Sequence, residues 1–380
     1  MKNTAVVFLI LILLTFGLAL ISQEKRPRLR EFDIETGILK PGKWNAITDV
    51  PGVKVGHVTL IKGKDIRTGV TAVLPHEGNI YQEKVPGAFY AANAYGKMMG
   101  STQIEELGNI ETPIILTNTL SVPTTADALI GYTLSLPGNE EVFSVNAVVG
   151  ETNDGWLNDI RGRHVKKEHV IEAVKKAETG PVEEGNVGAG TGTTCFGFKG
   201  GIGTSSRKLP ASRGGYTVGI LVQTNFGGVL QINGVPVGKR LGKYYMKRDL
   251  EKESEGSCMV VVATDAPLDS RNLKRLAKRA LLGIVRTGGF FSQGSGDYAI
   301  AFSTAKGCRI PHDPPSPMRK TEVLYNEQMS ALFLAAAEAS EEAILNSLFK
   351  AQTMTGKNDK IIEALPLDVV KKILEGAPRK

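Results

Sequence analysis

The chain has 380 residues, of which 42% are hydrophobic, 22% charged and 6% aromatic. This is ordinary globular composition, and its 43 glycines follow no fixed period, which excludes a collagen-like or disordered chain and points to many tight turns. The formal net charge of +7 is modest for this length and no nucleic-acid motif accompanies it, so the charge is read as surface character with no nucleic-acid partner.

At the N-terminus, Lys2 precedes an uncharged stretch from Asn3 to Gln23 that contains the apolar run Ala5–Leu14. A short positive region, an apolar stretch and small residues near its end predict a secretory signal over residues 1–22, with Ala19 or Ser22 just before the cut. The rival is an uncleaved membrane anchor, because Ala5–Ile21 is at the low edge of the length needed to span a bilayer. No Cys follows the run, which argues against a lipoprotein.

Several apolar strands then end in polar clusters. Pro113–Thr117 ends at Asn118, Val142–Val149 ends at Gly150–Gly155, and Thr217–Thr224 ends at Asn225-Phe226-Gly227-Gly228. Strand ends that gather Asn, Glu and Asp are where sites are often built, because a rigid scaffold carries a polar loop. The segment Arg161–His169 is basic and holds two of the five histidines, with no metal-ligand spacing, so a solvated helix face is expected there. Gly185–Gly203 is Gly-rich but lacks the GK[ST] ending of a phosphate loop, so it is read as a tight structural loop.

From Lys239 to Glu255 the chain is too charged to be buried, and it stops at Gly256-Ser257. The next residues, Cys258–Thr264, read as a buried β-strand that ends at Asp265-Ala266-Pro267. An exposed linker that turns at Gly-Ser directly into a core strand suits a self-cleaving hydrolase. In such a protein the Ser attacks the preceding carbonyl, and the released α-amine then stands beside the hydroxyl as a base. The dipeptide alone is more often an ordinary loop. Downstream, Asp269 is placed to cap a helix with Leu273, Leu276, Ala280 and Leu281 on one face, stopped by Gly288-Gly289. A long helix is predicted over Asn326–Lys350, with Met329, Leu332, Ala336, Ala339, Ile344 and Leu348 as its apolar stripe, and a short one over Pro366–Leu374. Cys195, Cys258 and Cys308 are too few and scattered for a disulfide framework and are expected in the core. The mixture reads as α+β, with layered sheets covered by helices.

Residues Gly256–Leu268 resemble the L-aminopeptidase/D-esterase family, which includes the β-peptidyl aminopeptidases. The resemblance extends to Asn45–His57, Glu111–Leu120, Gly150–Asp154 and Ser292–Asp297, and covers about residues 29–358. It implies an αββα sandwich similar to N-terminal-nucleophile hydrolases with different strand connectivity. It also implies self-cleavage between Gly256 and Ser257 into an α chain (23–256) and a β chain (257–380) that assemble as a tetramer of αβ units. By motif, Ser257 is then the nucleophile, supported by Ser295 and Asp297, where some relatives carry Glu in place of Asp297. Asn225 matches the oxyanion-stabilising Asn, whose amide donates to the developing charge. Glu151 and Asn153 match the substrate pocket, although some relatives have Tyr at the position of Asn153. Glu151 is expected to pair with the substrate's ammonium, with Asp154 as the nearest alternative acid. The resemblance thus implies an exported, periplasmic or secreted serine aminopeptidase acting on short peptides, amides or esters without a metal or organic cofactor. Two alternatives remain beside it. One is an acyltransferase of the ornithine acetyltransferase type, which uses Thr as nucleophile; the other is a non-catalytic exported binding protein.

Overall fold

The computed structural model describes residues 26–247 and 256–377. The expected signal (1–22) and the most charged part of the stretch before Gly256 lie outside the described residues. Two sheets carry the fold. The first takes β1 (Lys54–Lys62), β2 (Ile66–Leu74), β4 (Ile114–Asn118) and β5 (Val148–Thr152), closed by the short strand Met98–Met99. The second takes β6 (Ile202–Lys208), β7 (Thr217–Asn225), β8 (Ser257–Thr264), β9 (Gly296–Ser303) and β3 (Glu83–Ala94), with two short pieces, Asn109–Ile110 and Ile310–Pro311, also paired to β3. The pairs β4–β5 and β8–β9 are parallel and the other pairs are antiparallel.

Period-two alternation sorts the strand side chains into separate cores. In β8, Met259, Val261 and Ala263 pack between the sheets against Ile114, Leu116 and Val148. Cys258, Val260 and Val262 face the other way, toward helices α3 (Ser270–Ala280) and α5 (Met329–Lys350). On the outer side of the first sheet, Val70, Ala72, Ile115 and Val149 meet helices α1 (Val122–Leu134) and α2 (Lys167–Lys175) through Leu129, Val170 and Ala173. The layers therefore run helix, sheet, sheet, helix, as expected. Asp269 caps α3 by accepting from Asn272 N at 2.8 Å. The three cysteines are free and buried.

Two expectations are corrected. The strand expected over Val142–Val149 begins only at Val148, where the parallel pairing with Ile114 starts, and it continues through Gly150, Glu151 and Thr152. Before it, Phe143 is 94% exposed. The long helix α5 is not a one-sided stripe: it is buried from Ala335 to Phe349 without interruption, carboxylates included. Those acids have partners from distant sequence. Arg207, on β6, donates to Glu342 Oε2 at 2.7 Å and Glu338 Oε2 at 3.2 Å, while Asn45 Nδ2 and Arg30 Nε donate to Glu342 at 2.5 and 3.0 Å. The backbone N–H groups of Ile38 and Leu39 donate to the Glu338 carboxylate.

Removing one member of such a buried ionic cluster leaves uncompensated charge. Arg207→Met should therefore destabilise the protein by about 3–5 kcal/mol in denaturant unfolding. Adding Glu338→Met and Glu342→Met should recover part of that loss. A single Arg207→Met variant of unchanged midpoint would contradict this account of the cluster.

Candidate active site

The site is assembled where β7, β8 and β9 begin or end. The antiparallel register sets Asn225 directly opposite Ser257, and opposed residues of an antiparallel pair share a face. Both side chains lie on the face turned to the first sheet, in the alternate set with Leu221, Gln223, Met259 and Val261. Ser257 is buried, and its Oγ donates to the carbonyl oxygen of Gly256 at 2.5 Å and accepts from Gly296 N at 3.3 Å. Asn225 accepts from Thr194 N through Oδ1 at 3.0 Å, which leaves its Nδ2 amide as the donor end.

Ser295 and Asp297 reach the same strand end from the neighbouring β9. Parallel pairing places Gly296 beside Ser257 and Asp297 beside Cys258, so Asp297 alternates to the helix-facing side. Ser295 Oγ lies 3.3 Å from the point where a Cβ on Gly256 would stand, which sets it on the Gly256 side of the Gly256–Ser257 bond. Ser295 Oγ and both Asp297 carboxylate oxygens are buried without a hydrogen-bond partner among the described residues. Burial pushes the Asp297 carboxyl up to about 6, opposed by the nearby Ser295. A buried polar group that lacks a partner is costly and marks either strain or a missing ligand.

Glu151 belongs to the alternate set with Val149 on the outer side of β5, yet its carboxylate curls back to the strand ends. Oε1 accepts from Lys97 N at 3.0 Å, Oε2 accepts from Thr119 Oγ1, and the Lys97 ammonium stands 3.9 Å away. A Cβ on Gly96 would come within 3.3 Å of Glu151 Oε1, 3.1 Å of the Tyr298 ring and 3.4 Å of Gly296 Cα, so the Tyr95–Lys97 backbone passes closely between them. Glu151 and the backbone that contacts Ser257 are thus neighbours across one residue. Desolvation raises the Glu151 carboxyl, while Thr119 and Lys97 oppose that shift. Asn153 is different. It is exposed on the turn beyond β5, and its Oδ1 accepts from Gly155 N at 2.9 Å, a local turn bond.

Asp154 points inward instead and is fully buried, with Oδ1 accepting from Asn158 Nδ2 at 2.9 Å. Burial drives its carboxyl up to about 7, and burial likewise drives the Lys199 ammonium down to about 7, with the Asp154 charge opposing. Sequence reasoning singled out neither Lys199 nor Lys97, and Thr119 only within the Glu111–Leu120 resemblance. Lys97 carried no signal of its own, whereas a lysine inside a Gly-rich loop was visible but is usually solvent-exposed. Among the described residues no cluster of three or more His, Cys, Asp or Glu is placed to hold a metal ion.

A buried Ser at the head of a central strand, inside four αββα layers, is the arrangement of serine hydrolases of the N-terminal-nucleophile type. The comparisons with known proteins agree. Residues 45–362 match the model of peptidase family S58, and the chain belongs to that family. It is 42% identical to the β-peptidyl aminopeptidase BapA of Sphingosinicella microcystinivorans over 370 residues, covering 92% of each chain. It is 50% identical to the PH0078 protein of Pyrococcus horikoshii OT3, with a TM-score of 0.86 over 93% of this chain and 100% of that one. The L-aminopeptidase D-Ala-esterase/amidase of Ochrobactrum anthropi matches at 36% identity and a TM-score of 0.84, over 92% of this chain and 98% of that one. Its structure is described as a prototype for the serine aminopeptidases and a new variant of the N-terminal-nucleophile hydrolase fold. This protein is accordingly a hydrolase, an aminopeptidase of the serine, N-terminal-nucleophile type.

The raised Asp297 carboxyl yields a pH prediction for the Ser257→Ala variant. Its native-state value, about 6, lies above the ordinary value of about 3.9, so between these limits the folded state binds more protons than the unfolded state. Stability contributed by this group is present at low pH and is lost as pH rises through that window. Asp297→Asn in that background should therefore raise the Tm at pH 8 and change it little at pH 4. Differential scanning calorimetry at the two pH values checks this; a lower Tm at pH 8 would mean that Asp297 is stably paired in that variant.

Proposed function

We propose that the protein is made as an exported precursor that cuts itself between Gly256 and Ser257 and then removes N-terminal residues from short peptides, amides or esters. The observation that carries this reading is the contact between Ser257 Oγ and the Gly256 carbonyl, with an oriented amide donor paired opposite. In self-cleavage the hydroxyl attacks the Gly256 carbonyl carbon, the peptide C–N bond breaks to give an ester, and water hydrolyses that ester. The new chain begins with Ser257 and carries a free α-amine, whose unperturbed pKa is about 7.7–8.0. That amine accepts the hydroxyl proton during turnover; Ser295, standing on the Gly256 side, orders it, and the Asp297 carboxylate answers its charge.

In turnover the Ser257 hydroxyl attacks the substrate carbonyl, Asn225 Nδ2 donates to the oxyanion, the amine leaves, and water releases the acyl group. Glu151 pairs with the substrate's ammonium, a cation that needs a partner once it is desolvated. Asn153, on the exposed turn beyond Glu151, holds its oxygen on Gly155 N and keeps its Nδ2 donor free for the substrate. The α chain (23–256) and β chain (257–380) remain together as one unit, and such units associate as a tetramer. Exposed apolar side chains such as Leu282, Val285 and Phe290 are consistent with self-association. The export half of the proposal rests on the N-terminal sequence alone. Among the described residues no helix is long and apolar enough to cross a membrane.

Two variants test the assignment of roles. Asn225→Ala should fold, cut itself slowly and turn over roughly 10²–10³-fold more slowly, the usual loss for one oxyanion donor. A correctly folded Asn225→Ala protein of normal kcat would remove Asn225 from the site. Glu151→Gln should raise KM for free-amine substrates severalfold or more and leave self-cleavage intact, since the precursor presents no free amine. Equal rates of the parent enzyme on free and N-acetylated peptides would mark a general acylase and take that role from Glu151.

A further inference from the structure

Lys199 is wholly buried, yet it forms no ion pair within 4 Å with any described residue. Its ammonium donates to the carbonyl oxygens of Gly200 at 2.7 Å and Gly190 at 3.0 Å. Those two carbonyls stand at the two ends of one loop. Thr193 Oγ1 also donates to Gly190 O at 3.1 Å, and Gly200 N donates back to Thr193 O at 3.2 Å. From inside the loop, Thr194 N donates to Asn225 Oδ1, and Phe196 N donates to Phe226 O at 2.8 Å. Asp154 flanks the loop: its Cβ is 3.0 Å from where a Cβ on Gly192 would stand, and its Oδ2 is buried without a hydrogen-bond partner among the described residues.

An Asn side chain presents a donor at one end and an acceptor at the other, in nearly the same shape. Turned over, Asn225 would direct its oxygen, not its amide, at the developing oxyanion and would repel the charge it should stabilise. The Thr194 N–H decides between the two orientations, and the loop that carries this N–H is held closed by Lys199. Taking the role of Asn225 from the function proposed above, we infer that Lys199 is a positioning residue for transition-state stabilisation: its buried ammonium clamps the Gly190–Gly200 loop and so fixes the Asn225 amide toward Ser257. This accounts for a buried lysine that has no other part in the chemistry. The Asp154 carboxyl, which flanks the same loop, opposes the desolvation that burial imposes on this ammonium.

The test is a double-mutant cycle on the full-length protein, with Lys199→Met and Asn225→Ala made singly and together. The readout is kcat and KM on a peptide amide once each precursor has been incubated to completion of cutting. Lys199→Met alone should lower kcat roughly 10–100-fold with KM within about twofold, the scale of a misplaced catalytic group. In the Asn225→Ala background it should lower kcat by less than about threefold, since there is no amide left to orient. Should Lys199→Met fail to fold, Lys199→Leu, which also removes both donations, completes the same cycle. Losses that multiply fully in the double variant, or an unaltered kcat in the folded single variant, would overturn the inference. An unaltered kcat in Asn225→Ala alone would instead overturn the assignment of Asn225 on which the inference rests.

Discussion

The antiparallel ladder between Thr217–Asn225 and Ser257–Thr264 ends by pairing Asn225 with Ser257, and the site depends on that register. A slip of one residue would turn Ser257 to the helix side and exchange Met259, Val261 and Ala263 for Cys258, Val260 and Val262 in the inter-sheet core. Both faces of β8 are buried, so such a slip would also disturb two hydrophobic layers at once. The packing that stabilises the fold therefore also fixes which side of the strand the hydroxyl occupies. The parallel neighbour β9 adds Gly296, whose N–H reaches Ser257 Oγ, and delivers Ser295 and Asp297 to the same end. Five residues, four of them on three strands, converge without any long side chain having to search for its place.

Buried charge is handled in two contrasting ways. Around Arg207, Glu338 and Glu342, backbone N–H groups, Asn45 and Arg30 answer the carboxylates, and the cluster joins the N-terminal segment to α5. Satisfied charges of this kind specify an arrangement and ask for nothing more. Asp297 and Ser295 are buried at the start of β9 with polar atoms unanswered among the described residues. In the function proposed above, an α-amine released at Ser257 would be the partner of this carboxylate, which ties the incompleteness to the proposed chemistry and not to the scaffold.

Much of this was legible in the sequence because it is local. The β-branched run after Ser257, the Asp269 cap and the apolar helix pattern around Leu273 and Leu276 each act within a few residues, and each element formed where expected. The αββα layering and the site residues came from the family resemblance, not from periodicity. What escaped was set by distant partners. The burial of Glu338 and Glu342 was not legible, since nothing near them in sequence announces Arg207 or Asn45. The start of β5 was misplaced because pairing with Ile114, not the apolar run itself, decides where it begins. Lys199 looked like a loop lysine because its partners are backbone carbonyls, which leave no trace in a sequence.

The central claim is that Ser257 becomes the first residue of a new chain and acts from that position. N-terminal sequencing with intact-mass analysis of the purified protein tests it most directly. The account predicts that the active protein contains a 124-residue chain beginning with Ser257, and that Ser257→Ala purifies as a single uncut and inactive chain. Full activity in a protein whose Gly256–Ser257 bond is intact, or cutting of the Ser257→Ala variant at that same bond, would contradict it.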